Sequence, residues 1–374
     1  MWGESRDSVQ ILGDLLLWNI RAQTQETQVW NWKTGVLLWV RTSSISPPSC
    51  RIFSEMRQHL KRYGECFWAR LLDSHHLLVV CGYSIRIYVI DPSSNVDWEI
   101  EEAPTIDQDR SYICSLQMPP YTVAASALTY ATIDGCEAAP APASSNDDDM
   151  VFAQDPNHAI VALNYAIERV SRRHMTIHEY YLLLIPLSTI FATVQRVRQT
   201  SPSNTTPIRE GVRVPWHDWG PSGTRLLQLK RRIRSVSVSG SRAAVLCHRR
   251  DPYYRDEVYI DVYVVDVHPN VNLDTELTTH NDPVISDELD GAVRYMFNES
   301  PGPRGPDGSY SLLKEVVHTL LPFRITHREV HVGDSYCCGL ILTEDALALV
   351  VRVTLLLSDT PTHCFWCCVA RRTS

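Results

Sequence analysis

Short apolar runs, alternating or unbroken and each closed by turn residues, recur along the chain, and this punctuation constrains the fold more than any other feature. In "TQVWNWKTGVLLWV", Val29 and the Trp30/Trp32 spacing predict a strand. Lys33, Thr34 and Gly35 predict a tight turn, and Val36 to Val40 the returning strand. In "HHLLVVCGYSIRIYVIDP", Leu77 to Cys81 turns at Gly82 into a strand with Ile85, Ile87 and Val89 on one face. Pro92, which has no N–H to give a ladder, stops it. A third pair is "HAIVALNYAI" with "HEYYLLLIPLSTI", and a fourth is "SVSVSGSRAAVLCHRR" with "EVYIDVYVVDVHP".

The strand-and-stop markers near Trp32, Ile90, Leu187 and Asp266 lie 58, 97 and 79 residues apart. A propeller blade takes about 40–45 residues, so these gaps hold one, two and two blades with insertions. The expected fold is therefore all-β and propeller-like, with about six to seven blades, incomplete or irregular in places. One domain is expected over 1–355, with loop insertions near 136–149, 199–208 and 298–309 and an atypical tail at 356–374 that fits no strand pattern. The best helical candidate is 51–65, where Ile52, Met56 and Leu60 fall at helical spacing.

Composition agrees with a large β core. The 374 residues are 44% hydrophobic, and ten Trp and sixteen Tyr against seven Phe favour broad aromatics with a polar end, which suit sheet surfaces. The net charge of -8 excludes a generally basic, nucleic-acid-coating protein, although the window from Arg209 to Arg255 carries eleven Arg or Lys against three acids. Eleven scattered Cys point to a reducing compartment rather than a disulfide scaffold. Glu4, Arg6, Asp7 and Asp14 break up any secretory signal. The apolar stretch Tyr180 to Val194 contains Pro186 and is shorter than the roughly 20 residues a spanning helix needs. An intracellular protein of the cytoplasm or nucleus is expected, with neither membrane nor nucleic acid as its partner.

No catalytic motif emerges. His248-Arg249-Arg250-Asp251 has the wrong spacing for a kinase catalytic loop, and GxSxG and phosphate-loop patterns are missing. His327 and His331 would share a helix face, but on the strand expected there they would lie about 13 Å apart, too far to share a metal. Cys364 and Cys367 form one CxxC beside His363, with Cys337 and Cys338 elsewhere, which is short of a zinc pattern. No metal, cofactor or catalytic residue is assigned. For an enzyme built on a propeller, Asp73, His75, His76 and His217 are the polar residues that would have to converge.

The phrase "VPWHDWGPSGTRLL" reads as a structural peg. Pro215 fixes its own φ and biases Val214 to extended backbone, which aims Trp216; Gly220-Pro221 turns the chain, and Asp218 is placed to accept from an indole or from turn amides. The basic run Lys230, Arg231, Arg232 and Arg234 follows as a candidate partner-binding patch.

"PWHDWGPSGTR", "VWNWKTG" and the strand "LLVVCGYSIRIYVID" between them resemble the C-terminal region of a large, divergent group of F-box proteins from mushroom-forming fungi, as do "LPFR" and "LTEDALALVV" further on. The resemblance runs in order over roughly residues 8 to 350, and its specific part is the two Trp phrases. Its structural signature falls on Trp30, Trp32, Gly35, Pro215, Trp216, Asp218, Trp219, Gly220, Pro221 and Arg225. It implies a β-rich, propeller-like region that serves as a non-catalytic protein-interaction module, the substrate-recognition part of an F-box-type ubiquitin-ligase receptor. With seven residues ahead of the first expected strand, a leucine-rich F-box is not expected in this sequence, and the ligase adaptor is not an expected partner. A nonfunctional truncated family member and a propeller-based enzyme are the alternatives.

Overall fold

A computed structural model of the chain describes residues 8–21, 24–44, 67–81, 83–91, 112–120, 127–135, 158–170, 176–200, 211–229, 231–250, 258–267, 294–295, 317, 319, 321, 323–331, 336–342, 346–357 and 360–371. They are mostly strand. The first sheet is an antiparallel meander of β1 (Ser8–Leu12), β2 (Leu15–Arg21), β3 (Thr24–Asn31) and β4 (Val36–Ser44). The second begins with β5 (Phe67–Leu71), β6 (His76–Cys81), β7 (Ser84–Val89) and β8 (Cys114–Gln117), and the third with β9 (Ala127–Gly135), β10 (Ile160–Val170) and β11 (Thr176–Pro186).

A crossing follows, made of α1 (Leu187–Thr200), β12 (Val212–Val214), α2 (Trp216–Gly223) and β13 (Arg225–Leu229). Strand β12 returns to the second sheet, parallel to β8, whereas β13 joins the third, antiparallel to β11. The crossing therefore ties the two sheets together through the chain itself. The fourth sheet takes β14 (Ile233–Ser239), β15 (Arg242–Arg250), β16 (Val258–Val267), β17 (Arg294–Tyr295) and β18 (Phe323–His331), in the order β14-β15-β16-β18-β17. The fifth has β19 (Tyr336–Leu342), β20 (Ala346–Leu357) and β21 (Thr360–Arg371).

The sheets pack face to face in chain order. Leu15, Leu17, Val29 and Trp39 of the first meet Leu71, Leu77 and Val79 of the second; the opposite face of the second, with Leu78, Val80 and Ile87, meets Leu163, Tyr165 and Leu183 of the third. Ala162, Leu182 and Leu184 then face Val245, Cys247 and Val265 of the fourth sheet, whose far side lays Leu246, Ile260 and Val262 against Leu340 and Leu342 of the fifth. Sheets two to four are buried on both faces, which is why "LLVV", "LLLI" and "AAVLC" read as unbroken apolar runs. Each fully buried Leu or Val in these layers contributes about 1.5–3 kcal/mol.

Polar contacts join the leading strands. Asp134 on β9 accepts from Arg70 on β5 at 3.1 Å and from the Val238 amide on β14 at 3.2 Å, and Ser237 accepts from the Leu342 amide at 3.0 Å. This succession of sheets is propeller-like. The expected six to seven blades are not met: among the described residues four sheets have the four or five strands of a blade, and the fifth has three.

Two further expectations change. The third hairpin is expected to run through "PLSTI", but β11 ends at Pro186 and α1 begins at Leu187. Its buried Leu187, Ile190, Val194 and Val197 follow a 3-4-3 spacing, which is helical. The segment from 360 to 371, for which no strand pattern was expected, is β21, paired along its whole length with β20. The helical candidate 51–65 and the insertions at 136–149 and 298–309 lie outside the described residues, and of 199–208 only Gln199 and Thr200, the end of α1, lie within them. Among the described residues no helix is long and apolar enough to cross a membrane.

Candidate functional site

The Trp-rich phrase becomes α2 and its flanks. Pro215, extended at φ −67° and ψ 156°, hands β12 to the helix, and its carbonyl accepts from the Asp218 amide at 3.0 Å. Trp216 and Trp219 are 8% and 2% exposed and meet edge to face, with ring centroids 5.1 Å apart. The Trp219 Nε1–H donates to the Gln117 carbonyl at the end of β8, 3.0 Å away. Both indoles thus fill the core between the second and third sheets. Gly220 is required by contact: a Cβ there would lie 2.4 Å from the Trp216 ring.

Gly220-Pro221 does not turn the chain as expected. Pro221 lies inside α2, near its C-terminal end, where Thr224 Oγ1 donates to the Gly220 carbonyl at 2.6 Å before the backbone becomes extended. Asp218 also departs from expectation. Its carboxylate pairs with the exposed His217 at 3.1 Å rather than with an indole, and its carbonyl accepts from Arg196 of α1 at 3.1 Å.

Arg225, first residue of β13, is fully buried. Its Nε donates to the Leu321 carbonyl at 2.7 Å, Nη2 donates to the same oxygen, and the guanidinium lies 4.5 Å from the centroid of Phe323. Nη1 is buried without a hydrogen-bond partner. Burial pushes the pKa down to about 10, which leaves a cation at neutral pH. The side chain fastens β13 to the segment leading into β18.

At the β3–β4 turn Asn31 Oδ1 accepts from the Lys33 and Thr34 amides at 3.1 and 3.2 Å, and Gly35 supplies the φ of +73°. Trp32 is half exposed, its Nε1–H donating to the Gly13 carbonyl at 2.9 Å, and Lys33 pairs with Asp14 at 2.6 Å. Trp30 is half-buried and donates to Gln28 at 2.7 Å.

The basic run does not present four outward cations. Lys230 lies outside the described residues, and Arg231 turns to the buried Asp261 carboxylate. Arg232 is exposed and Arg234 half-buried. Asp261 also receives His327 Nε2 at 3.0 Å, and His327 stacks on Tyr263 at 4.6 Å. Sequence reasoning missed this cluster, because register alone brings together β16, β18 and the β13–β14 connection. Chemically it is a carboxylate neutralised by two donors. The nearby Cys247 thiol is pushed up to about 12, by burial first and then by Asp261, so it stays protonated.

Of the four polar residues an enzyme reading would bring together, Asp73 and His76 meet at 2.8 Å, while His217 pairs with Asp218 instead. His327 and His331 both lie on β18, strand geometry that keeps them from sharing a metal. Among the described residues no three His, Cys, Asp or Glu side chains gather as metal ligands would. In comparisons with known proteins, no family model matches the chain and no curated protein matches it.

Proposed function

We propose that the chain is a protein-interaction module without catalytic residues of its own, related to the substrate-recognition region of F-box-type ubiquitin-ligase receptors. One observation carries this reading: the most distinctive residues of the chain, Trp216, Trp219 and Arg225, are buried within the crossing between the second and third sheets. The Trp219 indole N–H and the Arg225 Nε donate to backbone carbonyls of the same chain. Residues so used hold layers together, and recognition then falls to the strand-end turns that stacked blades display. Among those turns the β13–β14 connection, with the exposed Arg232 in a window of net positive charge, suits a partner with an acidic face.

The test is affinity capture with the full chain and with a Lys230→Glu, Arg232→Glu double variant; Arg231 is kept because it neutralises Asp261. At least one protein captured by the wild type should be lost or reduced about tenfold by the variant. An unchanged set of captured proteins would rule out the basic turn as the recognition surface. Turnover of any substrate by the wild-type chain would overturn the non-catalytic reading.

A further inference from the structure

The chain leaves β13 at Leu229 and enters β14 at Ile233, so Lys230, Arg231 and Arg232 make up the basic turn. Its middle residue is turned inward. Arg231 Nη1 donates to Oδ2 of Asp261, whose side chain is 4% exposed, while Arg232 beside it is exposed.

Asp261 is unlike its neighbours on β16. On the same face of the strand, Val265 and Val267 lie in the core with the third sheet and Tyr263 packs against them; on the other face Ile260 and Val262 lie in the core with the fifth. An apolar side chain would serve the packing as well, because taking a carboxylate out of water is costly and an ion pair at best offsets that cost. What the carboxylate adds is direction. His327 donates from Nε2 to Oδ1 at 3.0 Å, and its ring stacks on Tyr263 with centroids 4.6 Å apart, which holds one oxygen in place. Strand β16 is itself paired on both sides, with β15 and with β18. The other oxygen is thereby aimed at Arg231 from a backbone fixed by two neighbours.

We infer that Asp261 is a positioning residue for the basic turn: its ion pair with Arg231 holds the turn in one conformation, so that a partner meets residues already ordered. This rests on the reading that the basic turn recognises an acidic partner. Arg231 is the tether and His327 the brace. Groups fixed beforehand lose no further freedom on association, so the tether strengthens binding. Charge alone predicts the reverse, because Asp261 is an anion behind a cationic surface, and removing it would make an acidic partner bind more tightly. The sign of one substitution separates positioning from charge.

Asp261→Asn keeps the shape and removes the charge. Two measurements on the full chain test it: hydrogen–deuterium exchange of the amides of residues 230–232, and fluorescence anisotropy with a fluorescein-labelled peptide of eight glutamates. In Asp261→Asn, exchange at 230–232 should quicken about tenfold and the peptide should bind about fivefold more weakly. Arg231→Gln should quicken exchange to the same extent, and the two substitutions together should do no more than either, because the pair acts as one unit. Arg231→Lys, whose ammonium can still meet the carboxylate, should restore most of the protection. Unchanged exchange in Asp261→Asn, or peptide binding as tight as that of the wild type or tighter, would overturn the inference. If circular dichroism shows that Asp261→Asn does not fold, Arg231→Gln, which leaves Asp261 with His327, carries the exchange measurement, and unchanged exchange there overturns the inference equally. The Lys230→Glu, Arg232→Glu double variant keeps the two readings apart. If it loses the peptide while Asp261→Asn does not, the positioning role falls and the basic surface stands; if it binds the peptide as the wild type does, the basic surface falls and the positioning role with it.

Discussion

Two pairs of tryptophans lie close to a glycine in this molecule, and their surroundings give them different work. Trp216 and Trp219 sit on α2 between two sheets, and Gly220 is there so that the Trp216 ring can lie against the backbone. Trp30 and Trp32 lead into the β3–β4 turn of the first sheet, where Gly35 serves the left-handed φ of the turn and a Cβ there would meet no described atom within 4 Å. The first pair is held by area removed from water. The second is held by hydrogen bonds to Gln28 and Gly13 at the rim. An indole is only as structural as the layer that covers it.

Truncation separates the two pairs most clearly. Trp219→Ala removes a buried indole and its bond to Gln117, which should cost about 3–5 kcal/mol in chemical denaturation. Trp32→Ala removes a half-exposed ring and one rim hydrogen bond, at a cost of about 1 kcal/mol. Equal losses at the two positions would break the comparison.

Much of this was legible in the residues. The hairpins of the first four sheets follow from alternation and turn chemistry: Gly35 marks the β3–β4 turn, and Val214, biased by Pro215, is extended as expected. The burial of Trp216 and Trp219 between layers was legible too, from two large indoles beside a Gly-Pro. Helix α2 was not, because Gly-Pro signals a turn locally; here the short helix keeps Pro221 past its first turn at the cost of the one backbone bond the missing N–H would make, and Thr224 caps the Gly220 carbonyl. The return of β12 to the second sheet and the meeting of Asp261 with His327 are long-range pairings, for which no local pattern is a signal.

Arg225 sharpens the comparison at the exit of the crossing. A buried cation without a carboxylate beside it is costly, and here two donors on the Leu321 carbonyl and the face of Phe323 offset part of that cost. Arg225→Met removes the charge but leaves the Leu321 carbonyl without these donors, so a loss of about 1–3 kcal/mol is expected. Arg225→Lys should be the worse of the two, because an ammonium is more strongly hydrated and lacks the planar fork. If methionine stabilises the chain, the arginine is not a fastening, and the crossing is held by the indoles alone.

The smallest effect distinguishes two turns of similar design. Asn31 closes the β3–β4 turn with an amide oxygen, and Asp73 closes the turn before β6 with a carboxylate that accepts from the His75 and His76 amides, both at 2.7 Å. Burial works to raise the Asp73 pKa, but the hydrogen bonds from the His76 ring and the two amides, with the attraction of His76, hold it below the ordinary 3.8. A depressed carboxylate stabilises the fold above its unfolded value, and that contribution is lost as pH falls from about 3.8 through the folded value. His76 leans on Phe191 of α1, with ring centroids 5.5 Å apart, so this turn supports the crossing as Asn31 supports the end sheet. Thermal unfolding of wild type and Asp73→Asn at neutral pH and below pH 4 should differ by less than about 1 kcal/mol, with the difference shrinking in acid. Asn31→Ala should lower stability equally at both pH values. A wild type that loses no advantage over Asp73→Asn in acid would mean that the carboxylate acts only as a hydrogen-bond acceptor, leaving the two turns equivalent.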